Sequence, residues 1–255
     1  MRRPPGLAWS GQGIDEGGRV AMTTRRERLR AELDRDIRMS ARRLLGADGP
    51  AAMTLAAIAR DVGITAPAIY RYYESHDDLV RAVADDLIED LVTTLQAAAD
   101  PSHDLLARLS GATNAIRTWA LEHPSEFAFL FGTPNKATGR AQGEISATWV
   151  VRLAHLFGGL FEELWRQRPF SVLPDESLAP ALRDELASYR KTTGLDLPLG
   201  AIWTLLTCWH RIYAGVCLEI FGHLGVGIDD HGPMYDQMLV ELMASIGLTY
   251  EPPAR

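Results

Sequence analysis

The stretch Met53 to Leu79, MTLAAIARDVGITAPAIYRYYESHDDL, constrains the fold more than any other part of the chain. Leu55, Ile58, Ala59 and Val62 recur at helical spacing and give a first short helix one apolar face. Thr54 stands where a hydroxyl can accept an orphan amide of the first turn. Gly63 follows the last periodic residue, where a chain leaving a helix often needs positive φ. Thr65 then caps a second helix. Pro67 falls in its first turn, where the missing N–H breaks no helical bond. Ile69 and Tyr73 are placed to pack back on the first helix, leaving Ala66, Ala68, Tyr70, Arg71 and Tyr72 to face outward. Helix, tight turn and second short helix form the unit that lays its second helix in a DNA major groove.

This stretch resembles the TetR family of bacterial transcriptional regulators. The matching residues are Thr54-Leu55, Ile58-Ala59, Gly63-Ile64-Thr65, Ile69-Tyr70-Arg71-Tyr72-Tyr73, Ser75 and Leu79. The resemblance implies an all-α protein in two parts. A three-helix DNA-binding head covers residues 23–74, and a larger helical ligand-binding and dimerisation domain covers residues 75–247, with a tail at 248–255. It implies a homodimeric repressor on double-stranded, palindromic operator DNA, released by a small apolar or amphipathic effector. Where the family carries a phosphate-contacting Lys at the start of helix four, this chain has His76, which at neutral pH carries only part of a charge.

Within the head, the small first-turn residues Ala66-Pro67-Ala68 favour close approach and contact with thymine methyls. Tyr70, Tyr72, Thr54 and His76 are expected to meet phosphates, which fixes register without reading sequence. Arg71 is the candidate for a hydrogen bond to guanine, and Thr65 completes the set.

The formal net charge of −7 would by itself argue against nucleic acid. The distribution differs: Thr23 to Leu45 holds eight Arg against four acids. That surplus sits where phosphate contact is expected. The only cysteines, Cys208 and Cys217, lie nine residues apart on one helix and point to opposite sides, so they do not bridge each other, which fits a reducing cytoplasm. No apolar run reaches the roughly 18 residues of a membrane span, and the two N-terminal Arg precede no apolar core of a signal peptide.

Met1 to Met22 is rich in Gly and Pro and reads as a disordered arm. It also reads as an untranslated leader with Met22 the natural start, because Glu16-Gly17-Gly18 would have purine-rich codons like a ribosome-binding site. Helix one is expected over 24–45 with Leu29, Leu33, Ile37, Ala41 and Leu44 as its core stripe. Ser75 with Asp78 opens helix four in a capping-box-like start, and that helix runs to about Ala99. Pro101-Ser102 is expected to start helix five, and Pro124 a short sixth. Further helices are expected over about 144–166 and 177–191. Pro198 to His223 is apolar nearly all round, so more than one face should be buried. Pro233 starts a last helix with Met234, Met238, Leu239, Leu242, Met243 and Ile246 as a stripe. Dimerisation is expected through these last two helices.

The second half also resembles TetR members whose C-terminal domain is named for a Trp-His-Gly motif. The matches are Glu122-His123-Pro124, Phe127 to Pro134, Trp209, Leu218-Glu219 and Gly222-His223. By register, Tyr213 and Ala214 occupy the His and Gly positions, with His210 one turn earlier. Trp119, Phe127, Phe131, Trp149, Phe157, Trp203 and Trp209 suit a largely apolar pocket, with His210, Tyr213 and Glu219 as its polar groups. Glu219 and His223 have metal-compatible spacing, but no further ligand converges with them, so no metal and no cofactor is expected. A competing reading is a helical small-molecule-binding protein or enzyme with a degenerate DNA-binding head. Against the enzyme, the chain has no phosphate-binding Gly loop, no nucleophile elbow and no His-Glu zinc helix.

Overall fold

Helix α4, His76–Ala98, is the axis of the molecule. In the computed structural model, which describes residues 25–132, 141–223 and 227–252, nine of its side chains are buried, from Leu79 to Leu95. They fall in two adjacent columns (Leu79/Val80, Val83/Ala84, Leu87/Ile88, Leu91/Val92), which makes a wide apolar arc. Before α4 come the three head helices, α1 (Arg25–Asp48), α2 (Leu55–Val62) and α3 (Ala66–Ile69). After it come α5 (Leu105–Glu122), α6 (Pro124–Phe131), α7 (Ala141–Gln167), α8 (Pro180–Thr193), α9 (Leu199–Ile220) and α10 (Gly232–Ser245). The described residues contain helices and no strands, so the all-α expectation holds.

The arc of α4 packs mainly on α5 and α7 and also meets α1 and α6. Its polar margin carries Asp86 and Asp90. Arg38 of α1 donates to Asp86 (2.8 Å), and Arg42 of α1 donates to Asp90 (2.7 Å) and to Glu126 of α6 (3.1 Å). Burial works against the Arg42 charge, but the bonds from Asp90 and Glu126 outweigh it and hold the guanidinium above its ordinary value. The head is thus tied to two helices of the second domain by one guanidinium.

Several expected boundaries move for local reasons. Helix α5 starts at Leu105, not Pro101, because Asp100 and Asp104 divide the task. Asp100 accepts the Ser102 amide in a turn (2.8 Å), and Asp104 caps the helix by accepting the Ala107 amide (2.8 Å). Helix α8 starts at Pro180, after a 3-10 turn at Asp175–Ser177. In α1 the core stripe begins at Leu33, while Leu29 is 55% exposed. The α10 stripe is used inside the subunit: Leu239 is fully buried and Leu242, Met243 and Ile246 nearly so, whereas Met234 is exposed. The arm Met1–Met22 lies outside the described residues, as do residues 133–140.

Gly111 lets α5 cross the end of α4 closely, since a Cβ there would stand 2.5 Å from the Ala98 carbonyl oxygen. Gly159, inside α7, has open space beside it. Gly111→Ala should therefore lower the thermal unfolding midpoint, by the ~1–3 kcal/mol typical of overpacking. Gly159→Ala should hold or raise it, by up to about 1 kcal/mol. Calorimetry of both variants checks the contrast.

Candidate nucleic-acid interface and interior cavity

The head is assembled by short-range bonds. Thr54 accepts the Ala57 amide (3.2 Å) at the start of α2. Gly63 ends α2 at φ 77°, and the Ile64 amide reaches back to the Ala59 carbonyl (2.9 Å). Thr65 occupies the cap position of α3 in extended conformation, but its hydroxyl makes no cap bond. It is exposed instead. Helix α3 is only four residues long and is held from behind, with Ile69 fully buried and Tyr73 nearly so. The Tyr73 hydroxyl donates to Asp34 of α1 (2.7 Å); burial first, then that bond, pushes its pKa well up.

Ala66, Pro67, Tyr70 and Arg71 are exposed, Tyr70 at 56%, while Ala68 and Tyr72 are half-buried. Tyr72 packs on the core, and the Arg30 guanidinium lies 5.8 Å from its ring centroid. His76 sits differently from expectation. Its Nε2 is 2.7 Å from the Met53 carbonyl oxygen. A carbonyl only accepts, so Nε2 carries the proton and donates. A second donor, at Nδ1, exists only when the ring is charged. In its neutral form His76 is a clamp on the loop before α2.

The basic surplus of α1 also divides. Arg38 and Arg42 pair with α4 and α6, and Arg43 pairs with Asp61 of α2 (2.7 Å). Ser40, fully buried, donates to the same Asp61 (2.5 Å). Arg25, Arg26, Arg28, Arg30 and Arg35 are exposed. The C-terminal arginines Arg38, Arg42 and Arg43 are thus all engaged by acids of the protein, although Arg43 stays exposed.

The second half encloses a cavity of about 260 Å³ between α5, α7, α8, α9 and α10. Of the residues named from sequence as a pocket, Trp149, Phe157, Trp209 and His210 line it. Trp119, Phe127, Phe131, Trp203, Tyr213 and Glu219 lie outside its lining. Their placements give physical reasons. Trp119 Nε1 donates to Asp90 at the head junction (3.4 Å). Phe127 and Phe131 pack on each other with centroids 4.7 Å apart, and the Tyr213 hydroxyl donates to the Phe131 carbonyl (2.9 Å). Burial pushes the Tyr213 phenol up to about 12. Trp203 is a half-buried residue against the core. Glu219 takes a two-pronged bond from Arg117 (2.7 and 2.6 Å), so it is a neutralised structural carboxylate rather than a pocket group. No cluster of metal-ligating side chains occurs among the described residues.

Two family models match this arrangement. The model described as "Bacterial regulatory proteins, tetR family" matches residues 37–83, across the helix-turn-helix. The model described as "Tetracyclin repressor-like, C-terminal domain" matches residues 109–242, more than half the chain. The chain belongs to the TetR family. HTH-type transcriptional regulators of Mycobacterium tuberculosis and Mycobacterium bovis are similar to it, at 25% identity over 238 residues, covering 86% of this chain and 96% of theirs. The crystal structure of a regulatory protein, SCO4313, matches at TM-score 0.68 and 26% identity, over 87% of this chain and all of that one. A TetR-family transcriptional regulator from Streptomyces coelicolor shares the fold at TM-score 0.51 and 15% identity, over 84% and 80% of the two chains. This TetR-family chain is a DNA-binding transcriptional regulator and not an enzyme.

Sequence reasoning missed three features of this TetR-family regulator. Tyr189 and Cys208 line the cavity. Tyr189 was legible as one of the few apolar-bodied residues of the polar α8, in step with Leu182 and Leu186. The Arg42 junction left no local signal, because its partners lie 48 and 84 residues away.

Asp61 gives a pH test of head assembly. The Ser40 hydroxyl first, and the Arg43 guanidinium second, hold its carboxyl below the usual aspartate range. A depressed folded-state pKa stabilises above the unfolded value and is lost as pH falls through the folded one. Thermal unfolding of the wild type should therefore move to lower temperature as pH drops from about 5 to about 2. Asp61→Asn should flatten that dependence in the same melts.

Proposed function

We propose that this regulator is a repressor that binds a palindromic operator as a homodimer and is released when a small effector fills the interior cavity. The observation that carries the reading is the position of the cavity. Its α5 and α7 walls are the helices on which α4 packs, and α4 is bonded to the head through Asp86 and Asp90. A change in the separation of α5 and α7 therefore reaches the head through one rigid helix. The effector acts by preferring the arrangement in which α4 holds the two heads too far apart for the operator. It shifts the equilibrium only by its differential affinity for the two arrangements. Weaker DNA binding is the reciprocal of weaker effector binding to the DNA-bound form.

The head works over residues 23–74 and the effector and dimer domain over 75–247. Ala66, Pro67 and Ala68 approach base edges, Arg71 bonds a guanine, and Thr54, Thr65, Tyr70 and Tyr72 position the head on phosphates. His76 joins them only as a charged ring, since its neutral form donates to Met53. Each four-residue α3 makes few base contacts, so specificity needs two heads on half-sites spaced about 34–36 Å, or a multiple, apart. The dimer forms through the outer faces of α9 and α10. Ala214 and Met234 are exposed there, and Leu218 and Met238 are half-buried. The small Ala214 permits close helix approach. The two free thiols suit a reducing cytoplasm.

The test is binding of the purified protein to its own upstream intergenic DNA at two salt concentrations, with unrelated DNA as competitor. A specific, salt-sensitive footprint with two-fold symmetry is expected. Ala214→Arg should give monomers in sedimentation and lose that footprint. An intact dimer would move the interface off α9, and no preference over competitor DNA would remove autoregulation. Within the head, Tyr70→Phe should weaken all DNA binding about equally. Arg71→Ala should relax preference at one base pair, by about 1–3 kcal/mol. The reverse pattern would exchange the two roles.

A further inference from the structure

The cavity lining narrows the chemistry of what fills it; this step rests on the effector reading above. The lining is hydrocarbon over nearly all of its extent, from Leu109 on α5 to Ile246 on α10. The described lining residues include no Asp, Glu, Lys or Arg. Glu219, expected as a polar group of the pocket, is paired with Arg117 and lies outside the lining. An ionic ligand entering would meet no carboxylate, ammonium or guanidinium in the lining, and an ion stripped of water without such a partner is strongly disfavoured.

Beside the indole N–H groups of Trp149 and Trp209, of which the Trp149 N–H is buried without a partner among the described residues, four polar side chains stand on the wall, and two are already engaged. Thr113 Oγ1 donates to the Leu109 carbonyl (2.7 Å). The Cys208 thiol, pushed up to about 11 by burial and only partly drawn back by its bond with Ser245, stays a neutral thiol. The Tyr189 hydroxyl on α8 and the His210 ring on α9 have no hydrogen-bond partner among the described residues. Tyr189 is half-buried, and burial pushes its pKa up, so it remains a hydroxyl able to donate or accept. His210 is exposed and yet lines the cavity, so it marks the mouth.

Volume sets the size. An apolar cavity of roughly 150 Å³ holds one benzene. The 260 Å³ here has room for one ring with a short alkyl chain, or an alkyl chain of about eight carbons. We propose that the effector is an uncharged molecule of that size with one hydroxyl or carbonyl oxygen. The oxygen is met by Tyr189 or His210, and the hydrocarbon body fills the space between Trp149, Phe157 and Leu239. Fatty-acid anions and alkylammonium cations of equal length are excluded.

The test is titration calorimetry of the full chain with four probes: 1-octanol, 4-propylphenol, octanoate and octylammonium. At least one neutral probe should bind about tenfold or more tighter than either ion. Tyr189→Phe or His210→Ala should weaken that neutral probe about two- to tenfold, the size of one hydrogen bond. Ala154→Leu, which adds bulk to the wall, should weaken it further, with Tyr189→Trp as a second filling variant if the first does not fold. Equal binding of octanoate, no binding of any probe, or indifference to both filling variants would overturn the proposal. The same neutral probe is then added to the complex with labelled upstream DNA. Binding without release of that DNA would overturn the release mechanism while leaving the ligand class standing.

Discussion

Helix α4 belongs to two packed units at once, and that single constraint organises the molecule. Of its nine buried side chains, the eight that are Leu, Ile or Val each contribute on the order of 1.5–3 kcal/mol of hydrophobic burial. The ion pairs on its margin, between side chains roughly a third exposed, are worth only about 0–1 kcal/mol apiece. Strength therefore comes from the apolar arc. The pairs have a different effect: Arg42, held between Asp90 and Glu126, fixes the angle at which α1 lies on the domain below it. Glu126 is nearly buried, so losing its guanidinium would leave a carboxylate with only His123 beside it (3.4 Å).

Trp119 connects this junction to α5. Its ring is buried and its Nε1 donates to Asp90, the same carboxylate that takes Arg42. In the proposed mechanism a shift of α5 caused by a filled cavity is thus felt at the clamp on the head without any long chain of intermediates. The aromatic residues divide between two tasks. Trp149 and Trp209 form cavity wall, whereas Trp119 bonds the carboxylate at the joint with the head and Phe127 packs in the core.

That division explains what was legible in the sequence. The helix-turn-helix was readable because its determinants are local: the Thr54 cap, the positive φ of Gly63 and the Ser75 cap each act within three or four residues. The facing of the second-half aromatics was not, because α9 is apolar nearly all round and its neighbours decide which side meets the cavity. The same holds for Leu239, whose place in an amphipathic stripe is equally compatible with an interface and with the interior it in fact occupies. Arginines on α1 read as one basic surplus until acids distant in sequence take up Arg38, Arg42 and Arg43.

The four-residue α3 carries its fold-bearing residues and its outward residues on separate sides. Ile69 and Tyr73 fix it from behind, while the side chains of Ala66, Pro67, Tyr70 and Arg71 are exposed. Substitutions at those outward positions cost the fold little. Such a head can drift in the sites it recognises over evolutionary time while its interior stays unchanged, so a duplicated copy can acquire a new regulon without first acquiring a new structure.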